Sequence, residues 1–100
     1  MGSRIKNIVL PDSLSEIADD AFSACLNLKK VYLPSGLKVI GARAFMGCDN
    51  LESVEFSSDI QIIGDEAFAF CRKLKNVTMP DKIKKMGKNV FHSCPLNLKP

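Results

Sequence analysis

A repeat solenoid is the fold class this sequence predicts, and two observations carry it. Cys25, Cys48, Cys71 and Cys94 are spaced 23 residues apart, and so are Phe22, Phe45, Phe68 and Phe91. The apolar positions between them repeat in the same register. A strict period of this length means stacked supersecondary units, none of which buries its apolar side without a neighbour.

The units span 5–27, 28–50, 51–73 and 74–96, preceded by a short opening segment, 1–4, and followed by a tail, 97–100. Ile5, Leu28, Leu51 and Leu74 open them. Next comes a strand. In LKKVYLP (28–34), Val31 and Leu33 share one face, and Lys30 and Tyr32 share the other. Pro11, Pro34 and Pro80 end three of these strands, because proline has no amide hydrogen for the ladder. Ser57 is the exception. A second extended piece follows, LKVIG (37–41), with Leu14, Leu37, Ile60 and Ile83 in one column and Ile17, Ile40, Ile63 and Met86 in another. Gly41, Gly64 and Gly87 close it, which points to positive φ or close backbone approach. Ala18 departs from that column and suggests local strain or a different turn in unit one. In ARAFMGC (42–48), Ala44, Phe45 and Cys48 have helical spacing, enough for one or two turns of helix. Asp19 and Asp65 are placed to cap such a segment in units one and three.

These residues, in the pattern L-x-x-V-x-L-P-x-x-L-x-x-I-G-x-x-A-F-x-x-C, resemble the BspA-like, or Treponema pallidum-type, leucine-rich repeats. The resemblance covers four repeats. It implies a right-handed stack with a parallel β-sheet on the concave side and short helices or turns on the convex side. It also implies a parent protein at the cell surface or secreted, acting as an adhesin that binds other proteins.

Composition excludes several function classes. The chain has 100 residues and a formal charge of +3, weak support for a nucleic-acid partner. Its lysines also lack the interleaved aromatics of single-strand binders. No apolar run reaches the length of a membrane span, so no membrane insertion is expected. Met1-Gly2-Ser3 looks like a vector-encoded start, and Lys6 stands where a myristoylation signal wants Ser or Thr.

The candidates for chemistry are few. Zinc needs closely spaced cysteine pairs converging on one point, and these cysteines form a line. Stacked strands lie about 4.8 Å apart, whereas disulfide Cβ atoms prefer roughly 3.8 Å. Buried reduced thiols acting as small apolar groups are therefore favoured over a disulfide or a metal site. His92 shares its column with Ser23, Met46 and Ala69, which is not a catalytic column. Asn76-Val77-Thr78 is a formal glycosylation sequon, but it lies in a predicted strand. No cofactor is expected and no enzyme.

The outward strand columns are the candidate binding face. They are Asn7, Lys30, Ser53 and Asn76 beside Val9, Tyr32, Glu55 and Thr78. Tyr32 with Lys30 is the best contact point, since tyrosine offers area and a polar tip. A second outward column holds Glu16, Val39, Ile62 and Lys85, where Val39 and Ile62 form either a contact patch or a pair covered by loops.

Net charge alternates along the units: −3, +3, −3 and +4. Stacked neighbours should attract, and the acidic first and basic last units suggest a homo-oligomer built head to tail or by exchange of elements. The leading functional reading is a non-catalytic module that binds a protein or glycan partner. The alternative is a structural or self-associating repeat unit, a fragment or an engineered minimal stack, without a ligand of its own.

Overall fold

The computed structural model describes residues 7–80 and 82–96. Residues 5 and 6 of unit one and the tail expected at 97–100 lie outside them. The repeat solenoid expected from the 23-residue period is the architecture observed. Each unit contributes one strand to each of two parallel sheets. The first sheet holds β1 (Asn7–Val9), β3 (Lys30–Tyr32), β5 (Ser53–Glu55) and β7 (Asn76–Thr78) in that order. The second holds β2 (Glu16–Ile17), β4 (Val39–Ile40), β6 (Ile62–Ile63) and β8 (Lys85–Met86). Every pairing joins residues 23 apart, for example Ile8 with Val31 and Ile17 with Ile40. Register is pinned because a one-residue slip would turn each inward valine or isoleucine toward solvent.

The core is a set of parallel ladders. Leu28, Leu51 and Leu74 are fully buried, as are Leu37, Ile40, Ile63, Ala44 and Ala67. The phenylalanine rings stack: centroids are 5.3 Å apart from Phe22 to Phe45, 5.1 Å from Phe45 to Phe68 and 5.7 Å from Phe68 to Phe91. Those distances follow from the strand spacing and suit offset stacking. Phe56 closes edge-on against Phe68 at 5.6 Å. The same columns at the two ends are less covered: Phe22, Phe91, Ile8 and Val77 are half-buried, and Met86 is exposed.

The structure corrects the helical expectation. No helix occurs among the described residues; the segments after the second strands are turns. Backbone amides explain why. In unit two the amides of Arg43, Phe45 and Gly47 donate to the carbonyls of Asp65, Ala67 and Ala69 in the next unit, at 2.9, 2.7 and 2.8 Å. The alternate amides of Ala44, Met46 and Cys48 donate three residues back, to Gly41, Arg43 and Phe45. A helix would need every amide for its own i−4 carbonyl. Half of them here bind the neighbouring unit. The path requires left-handed residues at two places in each turn: Asp20, Arg43, Glu66 and Asn89 at the first, Ala24, Gly47, Phe70 and Ser93 at the second.

The capping role also moves. Asp19 Oδ1 accepts from the Ala42 amide at 2.8 Å, and Asp65 Oδ1 from the Lys88 amide at 2.9 Å. Each carboxylate serves the unit above its own, not its own turn.

Gly41, Gly64 and Gly87 have no positive φ. Close approach is their reason: a Cβ on Gly41 would lie 2.5 Å from the Asp19 amide nitrogen and 2.7 Å from the Ala18 carbonyl carbon. Gly64 and Gly87 would meet the units beneath them in the same way. Ala18 is exposed, so its Cβ has room and its φ is ordinary; neither strain nor a different turn is involved.

Candidate functional site

The first sheet brings the eight candidate residues into one grid. Asn7, Lys30, Ser53 and Asn76 pair in one row across the strands, and Val9, Tyr32, Glu55 and Thr78 in the next. Seven of the eight are exposed and Ser53 is half-buried, while the residues between them, Val31 and Val54, are buried. This face is outward because alternate residues of a strand point to opposite sides. Val9 is 78% exposed and Tyr32 51% exposed, and they are register partners. Two apolar side chains thus stand in solvent side by side, with Lys30 and Glu55 next to Tyr32.

The face is not flat at its centre. Lys30, Tyr32, Ser53 and Glu55 line an open groove of about 410 Å³. Asn7 and Val9 sit on the neighbouring strand and do not line it, and Asn76 and Thr78 border separate open hollows on the other side. The rest of the wall comes from Val31 of β3 and from residues beyond the strands: Leu33, Ser35, Phe56, Ser57 and Ser58. Ser57 is the position where the other units have proline. Its hydroxyl donates to the Leu37 carbonyl at 3.0 Å, which ties the end of β5 to the unit below. The break in the proline column was the one signal in the sequence for this part of the groove.

Val39 and Ile62 are half-buried, in a shallow hollow with Gly41, Gly64 and Lys85. They are less prominent than the Val9–Tyr32 pair. On the turns, Arg43 reaches down to Asp20 with two nitrogens, at 3.1 and 3.3 Å. Asp20 holds the guanidinium pKa above its ordinary value, by hydrogen bond and by charge. Arg72 approaches Asp49 at 3.9 Å. Both pairs cross between units of opposite net charge. Both are exposed, so each adds little to stability.

The four cysteines are free; Cys25, Cys48 and Cys71 are buried and Cys94 half-buried. The thiols of Cys48, Cys71 and Cys94 donate to the carbonyls of Phe22, Phe45 and Phe68, at 3.2, 3.2 and 3.0 Å. They are therefore more than small apolar groups: each clips its unit to the one below. Hydrogen bonds with Cys48 and Cys94, together with burial, push the Cys71 thiol pKa far up. Burial raises Cys25. A raised value keeps the Cys25 and Cys71 thiols protonated and unreactive, whereas the hydrogen bond with Cys71 draws the Cys48 and Cys94 thiols down. His92 is exposed and meets Phe70 edge-on at 5.4 Å. Among the described residues no three His, Cys, Asp or Glu side chains cluster where a metal ion would need them. No helix there is long and apolar enough to cross a membrane.

Comparison with known proteins agrees with this geometry. A comparison with curated proteins finds no match. A leucine-rich repeat protein from Bacteroides ovatus superposes with a TM-score of 0.86 at 30% identity, over 91% of this chain and 24% of its own. The T. pallidum leucine-rich repeat protein does so with a TM-score of 0.83 at 31% identity, over 88% of this chain and 44% of its own. The chain thus spans less than half the length of either. The family model described as BspA type leucine rich repeat region (6 copies) matches residues 1–99, and the chain belongs to that family.

Proposed function

We propose that the chain is a non-catalytic interaction module whose outward first-sheet face docks a protein or glycan partner around Tyr32. The observation that carries this reading is the exposed Val9–Tyr32 pair beside the groove that Lys30, Ser53 and Glu55 share. Aromatic anchors flanked by charge are the usual energetic centre of a protein contact. The backbones of β3 and β5, which carry Tyr32 and its neighbours, are already paired on both sides, so a partner docking around Tyr32 is recognised by side chains and not by strand addition there. The pair of exposed apolar residues favours a protein; the hydroxyls of Ser35, Ser53, Ser57 and Ser58 suit a glycan. Family membership supports an interaction role; a parent at the cell surface or secreted, working as an adhesin, is part of this proposal.

The test is capture by the immobilised chain from panels of matrix proteins and glycans. Tyr32→Ala should weaken capture at least tenfold, and Lys30→Ala less, with melting temperatures nearly unchanged because both side chains are exposed. A captured ligand indifferent to both changes would place the site elsewhere. No capture from either panel would favour a structural unit. Capture of nucleic acid that vanishes with added salt would be nonspecific charge.

A further inference from the structure

Along the loops between the two sheets, three open hollows run into one another, and Ser58 lines all of them. The first is the groove at Tyr32. It shares Phe56 as well as Ser58 with the second, beside Thr78 and Pro80, and the second shares Lys82 with the third. The third encloses about 440 Å³ between Lys38, Lys82 and Lys84. Backbone bonds set the spacing of two of these lysines. The Gln61 amide donates to the Lys38 carbonyl at 2.8 Å, and the Lys84 amide to the Gln61 carbonyl at 2.9 Å. Lys38 and Lys84 therefore stand two rungs apart, about 10 Å by strand spacing, with Gln61 between them. Lys38, Lys82 and Lys84 are exposed, and none has an ion-pair partner among the described residues. Asp59 is the one described acid in this hollow. A concave surface lined by one sign of charge concentrates ions of the other sign.

The spacing says what kind of anion fits. Two ammonium groups about 10 Å apart exceed the screening length of about 8 Å at physiological salt. They do not close on one small ion; they suit charges carried at intervals along a chain. Lysine is a compact point charge with three donors, which takes a sulfate oxygen from many directions. The rest of the lining selects the chain. Ile60, the one apolar residue of the lysine hollow, is 1% exposed, so a peptide finds no socket there for an anchoring side chain. Tyr32 is the one exposed aromatic ring on the path, since Phe56 is buried, and successive nucleic-acid bases need more than one. Hydroxyls of Ser35, Ser53 and Ser58 line the way and suit the hydroxyls of a sugar. We propose that the partner docked at Tyr32 is a sulfated polysaccharide, with one sugar ring on the tyrosine and sulfate groups further along the chain seated at Lys38, Lys82 and Lys84. The proposal rests on the reading of the Tyr32 groove as the docking face and adds the chemistry of its ligand.

Titration calorimetry with heparin as the probe tests this. The chain should bind heparin, and fully desulfated heparin roughly tenfold more weakly, with the difference shrinking as salt is added. Lys38→Gln combined with Lys84→Gln should weaken heparin about tenfold. Lys29→Gln combined with Lys88→Gln removes the same charge from outside the path and should have little effect. All four lysines are exposed, so melting midpoints should hold in both variants. Tyr32→Ala should weaken heparin and its desulfated form alike, because it acts on the sugar ring. Equal losses from the two lysine pairs would mean general charge attraction and overturn the proposal. Tighter binding of polyglutamate or single-stranded DNA than of heparin would overturn it too. A protein or uncharged glycan captured through Tyr32, by a chain that does not bind heparin, would overturn it and leave the docking reading standing. Heparin held through Lys38 and Lys84 but indifferent to Tyr32→Ala would overturn the joined path and that reading together.

Discussion

The glycine column of the second sheet and the left-handed columns of the turns make opposite use of the same residue. At Gly41, Gly64 and Gly87 the backbone φ would suit any residue, yet glycine is kept because the next unit's backbone leaves no space. At the eight left-handed turn positions glycine would relieve the backbone, yet only Gly47 is one. Contact between units is an absolute constraint. A strained φ is a local cost, on the order of 1–2 kcal/mol per residue, which the bonds to the next turn offset. Neighbours, more than local preference, decide this fold.

Substitutions in the two columns should separate accordingly. The largest effect is expected for Gly64→Ala, whose Cβ would lie 2.5–2.8 Å from backbone atoms of Gly41 and Ala42. Overpacking of this kind costs about 1–3 kcal/mol or more, and rigid backbone on both sides puts it at the top of that range. Denaturant unfolding should show it as a lower midpoint, and a loss near zero would mean the units can slide apart freely. Gly47→Ala should cost less, about 1 kcal/mol, because nothing lies nearer than 3.9 Å to its Cβ and only its φ of 75° opposes the change. Smallest, and of opposite sign, is Ala24→Gly. It removes a Cβ from a residue at φ 59° and should stabilise by roughly 0.5 kcal/mol. Should Ala24→Gly destabilise, the turn's left-handed path would not be the cost argued here.

The same distinction explains what was legible beforehand. Cys25, Cys48, Cys71 and Cys94 set the register, and the Val31–Leu33 alternation placed the strand and its outward columns, because side-chain burial leaves a direct mark on residue choice. The turns were not legible. Ala44, Phe45 and Cys48 face inward at helical spacing whether their amides bond within the turn or to the next unit, and amides leave no mark in a sequence. Asp19 and Asp65 were expected to cap helices of their own units; no helix forms among the described residues, and their carboxylates accept from turn amides of the next unit instead, a partner the sequence does not mark. In the candidate face, Lys30, Tyr32, Ser53 and Glu55 could be placed from strand parity. Ser35 and Ser58 could not, since loop residues carry no period. Ala18 showed as a broken column, but its meaning needed the structure, in which its Cβ is exposed while a Cβ on Gly41, Gly64 or Gly87 would meet the unit beneath.

The repeat distance of the cross-unit bonds also bears on how the chain folds. The side-chain links between units join residues 20 to 26 apart, whichever end of the molecule they lie in. Parallel sheets ordinarily fold slowly, because their pairings close long loops of differing size. In this chain each new rung closes a loop of about the same length on a template already formed, so the entropy of closure does not grow as the chain assembles. After a first costly pair of units, growth should proceed rung by rung in either direction, as in a one-dimensional zipper. Units two and three, covered on both sides, are the natural place for that first pair. Amide exchange should then be slowest at Phe45 and fastest toward the outer strands.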